Sequence, residues 1–235
     1  MIDPFDNLRR ERAALTAVFA RDLRSPLSAI VANLSFLEGC VAESDPEAGA
    51  VFGELRVSCD EFQRMVDNGE AIARLEVSAP LTGADPVTDL VPAVRAALTA
   101  MSGSAAIAQV DLRTELRTDV ALVRAPPVMV ELLLRNLFAN GITHARRGGW
   151  AVLSLHRRAD GAVELTLRDP GVPFGDLALT FSRERQAEVK TAHRGRYARG
   201  LNPYLLGIVA ARLRASVVAT HDGSQSELSL TFPPV

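Results

Sequence analysis

Lysine is almost absent from this chain of 235 residues: of 26 basic residues, Lys190 alone is a lysine and the others are arginines. The arginines are spread along the whole length. Against 28 acids they leave a net charge of -2, which gives no pull toward nucleic acid or an anionic membrane. Cysteine is as scarce. Cys40 and Cys59 cannot build a disulfide framework or a zinc site, and both fall in helical patterns, where they are expected as small buried hydrophobes. A reducing cytoplasm fits that usage. No apolar run reaches the ~18 residues of a membrane span, and the charge-rich N-terminus excludes a signal peptide. A soluble cytoplasmic chain is expected. What the sequence does have is apolar mass: 48% of it is hydrophobic, enough for one large domain or two small ones with real cores.

The apolar pattern predicts two long helices, over about 6–40 and 47–78. In the first, Leu8, Leu15, Phe19, Leu23, Ile30, Leu34 and Leu37 recur at helical spacings, with a kink expected at Pro26. In the second, Phe52, Leu55, Cys59, Phe62, Val66, Ile72 and Leu75 form a comparable stripe. The short polar connection ending in Pro46 makes the pair an antiparallel hairpin. A lone hairpin buries two stripes poorly. Either the chain's own C-terminal domain covers them or a second copy does, and a dimeric four-helix bundle is the expectation. A Pro/Gly-rich stretch over 79–88 marks a boundary, giving domains 1–79 and 80–235. Beyond it, helices are predicted over 90–102, 127–145 and 203–215. Strands are predicted over 109–115, 121–124, 150–156, 163–169, 216–221 and 227–232. That order is α+β, helices on one face of a mixed sheet.

Residues 20–30 read Ala-Arg-Asp-Leu-Arg-Ser-Pro-Leu-Ser-Ala-Ile. The segment resembles the H-box of sensor histidine kinases, in which a phosphoaccepting His precedes an acid, Leu, Arg, a small polar residue, Pro and Leu. Asp22, Leu23, Arg24, Ser25, Pro26 and Leu27 match; Arg21 stands where the His belongs. A neutral imidazole has a lone pair that can attack a phosphate. A guanidinium has five donors, no acceptor and a permanent charge.

The second domain resembles the Bergerat-type ATP-binding domain of the same kinases. Asn136-Leu137-Phe138-Ala139-Asn140-Gly141 looks like the N-box, and the resemblance implies that Asn140 would hold Mg²⁺ if the ion binds at all. Asp169-Pro170-Gly171-Val172-Pro173 looks like the G1 box, whose Asp accepts the adenine amino proton. Gly171 is kept and Pro173 replaces the second glycine. The G2 box falls on Ala198-Arg199-Gly200-Leu201-Asn202-Pro203, where only Gly200 and Leu201 match. Asn202 and Pro203 read as an N-cap and first helical residue that close the helix start to a phosphate. Between the boxes, the Arg-rich stretch 174–199 corresponds to the ATP lid; by composition it reads first as a solvated basic loop. His144, His156, His193 and His221 are expected as surface or hydrogen-bonded residues, since none lies on the first helix.

The resemblance therefore implies a soluble histidine pseudokinase: a homodimeric module of two-component signalling. Asn136, Asn140, Asp169, Gly171 and Gly200 would form a vestigial nucleotide site with no cofactor expected, or weak ATP and Mg²⁺ only. Autophosphorylation is not expected. The implied partner is a response-regulator receiver domain, or another histidine kinase, contacted by Arg21, Asp22 and Arg24. The alternative is an atypical Mg-ATP-binding kinase or ATPase with non-standard G1 and G2 boxes, working on a partner chain. A phosphorelay transfer protein would need the histidine that is missing.

Overall fold

The computed structural model describes residues 4–41, 45–78, 82, 85–145, 148–171 and 201–235. They form two compact units, Met1–Ala79 and Pro80–Val235. The first is a hairpin of α1 (Pro4–Val41) and α2 (Pro46–Val77). Helix α1 continues through Pro26. At the start of α2 the Asp45 carboxylate accepts from the Glu47 and Ala48 amides at 3.0 and 3.1 Å, so a side chain satisfies two of the amides a helix start leaves bare.

Along α1 the buried apolar residues Ala13, Ala20, Leu27 and Leu34 recur every seven positions, the step that keeps one seam facing a neighbouring helix. Helix α2 buries Val66, Ile72 and Ala73. Ion pairs cross between the helices in antiparallel order: Arg12 to Glu76 at 2.6 Å, Arg24 to Asp67 at 2.8 Å and to Glu70 at 2.7 Å, and Arg56 to Glu38 at 2.9 Å.

The expected single stripe on α1 is really two. Leu34 lies inside the hairpin, whereas Leu15, Phe19, Leu23, Ile30 and Leu37 remain largely exposed, as do Leu55 and Phe62 on α2. Leu23, Ile30 and Leu37 form a second seven-residue series, three positions after Ala20, Leu27 and Leu34. The hairpin thus satisfies one seam of a heptad pattern and leaves the other bare.

The second unit sets α3 (Leu90–Ile107), α4 (Pro127–His144) and α5 (Leu201–Arg212) on one face of a five-stranded mixed sheet. The strands are β2 (Asp111–Leu116), β4 (Trp150–Arg157), β5 (Val163–Asp169), β6 (Ser216–His221) and β7 (Ser226–Phe232), in the order β2-β4-β5-β7-β6. Only β2 and β4 run parallel. A small second sheet pairs β1 (Val87–Asp89) with β3 (Leu122–Arg124). Strand β1 lies in the stretch expected to be linker. Its last residue, Asp89, caps α3 through Val91 N–H at 3.0 Å and also accepts from Ala121 N–H at 3.0 Å. One carboxylate therefore ties the small sheet to the helix.

Alternation along the strands puts Leu153, Leu155, Leu165, Leu167, Leu228, Leu230 and Phe232 into the core with Leu133, Leu134, Leu137 and Phe138 of α4. The other sheet face is polar: Glu115 accepts from Arg117, Arg168 and Ser154 at 3.0–3.2 Å, and the Ser154 hydroxyl is the foremost cause that holds its carboxyl below the usual range. Helix α3 corrects one expectation: it is long and apolar enough, by length and composition, to cross a membrane. Leu90, Val91, Val94, Ala97 and Ala105 are buried within the fold, where α3 packs on α4 and β2.

Candidate functional site

Two places gather the residues singled out in the sequence. The first is the middle of α1. Arg21 is open to solvent, its side chain 74% exposed, with its Nε 3.3 Å from the Asp22 carboxylate, which is itself exposed. At that exposure the pair adds little to stability. Arg24, read with them as a partner contact, is instead engaged within the hairpin by Asp67 and Glu70. The hydrogen bond from Arg24 is the main cause that lowers the Glu70 carboxyl below its usual range.

The second is where the C-terminal end of α4 meets the end of β5. Asn136 and Asn140 lie one helical turn apart on α4, both buried; the Asn136 amide donates to Leu132 C=O at 2.8 Å. Helix α4 comes very near the sheet at Gly141, where a Cβ would stand 3.0 Å from both Ala151 Cβ and Leu167 Cδ1. One turn beyond Asn140 comes His144. Its side chain is fully buried, and its Nδ1 is hydrogen-bonded to Oδ1 of Asp169, also fully buried, at the end of β5. The same Oδ1 accepts from Gly171 N–H at 2.8 Å.

Gly171 lies flat against this pair: a Cβ there would overlap the imidazole ring and the carboxylate. This is a different use of the glycine from the one expected, an approach to a base. Across the sheet, Asp169 is in register with buried Ser226, and Ser226 with His221, whose Nδ1 is 3.1 Å from the Ser226 hydroxyl. His156 lies 3.8 Å from Glu164 on the opposite, open face.

Sequence reasoning placed His144 among residues satisfied by ordinary partners and missed its contact with Asp169. The available signal was its i, i+4 spacing from Asn140, which puts both on one side of α4. Pro173, His193, Gly200 and the lid stretch 174–199 lie outside the described residues. Helix α5 is described from Leu201, and Asn202 and Pro203 lie within it. Among the described residues no cluster of three or more His, Cys, Asp or Glu could hold a metal ion. The Asp169 side chain has no exposed surface, and its Oδ1 is bonded to His144 and the Gly171 amide.

A two-helix hairpin followed by helices on one face of a mixed sheet is the architecture of the histidine kinase core. No protein-family model matches the chain. Sensor histidine kinase MtrB of Mycolicibacterium paratuberculosis is 29% identical over 197 residues, 82% of this chain and 34% of that protein. Sensor protein QseC of Salmonella typhi is 27% identical over 177 residues, 75% of this chain and 37% of that protein. The Acinetobacter baumannii histidine kinase AdeS superposes with a TM-score of 0.56 at 16% identity, over 90% of this chain and 96% of that one. The chain is similar in sequence to sensor histidine kinases and has the fold of a histidine kinase core, while spanning about a third of the length of the curated relatives it matches.

Proposed function

We propose that this chain is a histidine pseudokinase: a dimeric regulatory module of cytoplasmic two-component signalling that docks a response-regulator receiver domain without phosphotransfer. The observation that carries the reading is Arg21, solvent-exposed on α1 at the position where the resembling kinases place the phosphoacceptor. A guanidinium offers no lone pair to a γ-phosphate. It does offer a fixed cation able to make a bidentate contact with carboxylates such as those of a receiver's acidic pocket. With Arg24 held by Asp67 and Glu70, the docking contact on this helix narrows to Arg21 and Asp22. The bare seam of Leu23, Ile30 and Leu37 supports pairing of two hairpins.

The test is incubation with γ-labelled ATP and Mg²⁺, followed by measurement of acid-labile phosphate on the chain. None is expected, and phosphohistidine at any of the four histidines would overturn the reading. One arrangement favours a second reading, an atypical Mg-ATP-binding kinase or ATPase acting on a partner chain: Asn140 lies one turn before His144, whose ring meets Asp169 and Gly171. ATP hydrolysis, or labelling of a partner, lost on Asn140→Ala would select it.

A further inference from the structure

Arg214 holds a backbone conformation that suits another residue. Its φ of +54° lies in the left-handed region, just past the end of α5, where helices commonly finish on glycine. Ala215 N–H closes the turn on Ala210 C=O at 2.9 Å. Glycine takes this conformation freely; arginine takes it under strain. Among the described residues nothing bonds the Arg214 guanidinium, so no contact of the side chain offsets that strain.

Arg214 lines a recess of about 300 Å³ together with Arg212, in the last turn of α5, and Arg124, on β3. No carboxylate lines it among the described residues. Arg124 donates to Asp85 C=O at 3.4 Å, a neutral acceptor that leaves the guanidinium charge in place. Val123, Leu213 and Phe232, all buried, make an apolar floor. Phe232 ends β7, whereas Ser226, in register with Asp169, begins it. The recess therefore lies at the other end of the sheet from the contact between His144 and Asp169.

We propose that this recess binds a small organic phosphate, whose phosphate group pairs with the three guanidiniums and whose apolar body covers the floor. A guanidinium fork matches the oxygens of a phosphate in pairs. Three like charges around one recess repel one another, and a dianion among them relieves that repulsion. The C-terminal end of α5 opposes the anion with about half a negative charge, well short of the three positive ones. A volume near 300 Å³ is at the lower end for small-ligand pockets, so the apolar body is small. None of these residues belongs to the hairpin or to the segments resembling the N-box and G1 box, so the site is independent of the pseudokinase reading.

Phenyl phosphate and inorganic phosphate are titrated by calorimetry into the full chain at low salt. One phenyl phosphate per chain is expected, bound about 10-fold or more tightly than inorganic phosphate, which leaves the floor uncovered. Arg214→Gly should weaken phenyl phosphate about 10-fold or more, yet melt at or above the wild-type temperature, because glycine relieves the backbone strain. Arg214→Lys should lose less, keeping the charge without the fork. Arg124→Gln, at an exposed position of β3, should give a second loss of similar size. Absence of phenyl phosphate binding by the wild type overturns the proposal. Unchanged affinity in a folded Arg214→Gly or Arg124→Gln also overturns it, since the anion would then sit at other arginines. Equal affinity for inorganic phosphate does the same, since charge alone would then hold it.

Discussion

Ile30→Glu is expected to split the proposed dimer and leave the hairpin folded. Ile30 is 54% exposed and belongs to the bare seam with Leu23 and Leu37. Complete burial of such a side chain is worth about 1.5–3 kcal/mol. Ile30 keeps roughly half its surface in one copy, so covering it adds about 1 kcal/mol per copy and about 2 for a symmetric pair. Glutamate forfeits that and brings a carboxylate against an apolar surface from each side, at a further few kcal/mol. A total near 5 kcal/mol weakens the dissociation constant by more than about 1,000-fold.

Leu27, three residues away, is the control: it is 2% exposed and lies in the seam closed within the hairpin, so Leu27→Glu should cost helix as well as association. Light scattering over a concentration series reads the dimer, and far-ultraviolet dichroism reads the helix. A dimer of unchanged affinity in Ile30→Glu refutes the reasoning, as does an equal loss of helix in both variants.

The hairpin should also weaken in acid. The Glu70 carboxyl titrates below its ordinary value of 4.5 in the folded chain because Arg24 hydrogen-bonds it. Its contribution is therefore complete above the unfolded value and disappears as pH falls through the lower folded one. The melting temperature should drop below pH 4.5, and Glu70→Gln should flatten that slope; an unchanged slope would dismiss Glu70 as the cause. Gly141→Val should overpack the contact with Ala151 and Leu167 and cost about 1–3 kcal/mol, read as a lower melting temperature of the second unit. Arg21→Ala should weaken capture of a receiver domain at unchanged melting temperature, with Arg21→Lys restoring only part of it because a point charge cannot form the bidentate fork. Equal capture by wild type and Arg21→Ala would assign Arg21 to solvent.

The alternation of the strands and the long helical periods were legible because each is a local pattern, repeated several times, that only one kind of backbone satisfies. The errors fall where a partner distant in sequence decides. Leu34 and Ile30 belong to one periodic series in the sequence, yet one is enclosed and the other bare, since periodicity gives two seams without saying which neighbour takes each. Arg24 looked available until Asp67 and Glu70, 43 and 46 residues later, came into reach. The three residues of β1 are too few to show alternation, and a proline and glycine background hid them; what makes them a strand is β3, 35 residues on in register.

His144 is the most consequential of these. Its own neighbourhood announces nothing beyond the end of a helix. Its role arises because Gly141 lets α4 settle close to β5, which carries the imidazole to a carboxylate 25 residues away. On the reading proposed here, phosphotransfer is lost at the acceptor. At Arg21 the chemistry itself is exchanged, a lone pair for a permanent cation, and the surface stays open to a partner. That exchange is a property of one side chain on a helix the hairpin holds in place, and it distinguishes the proposed docking module from a kinase waiting for its substrate.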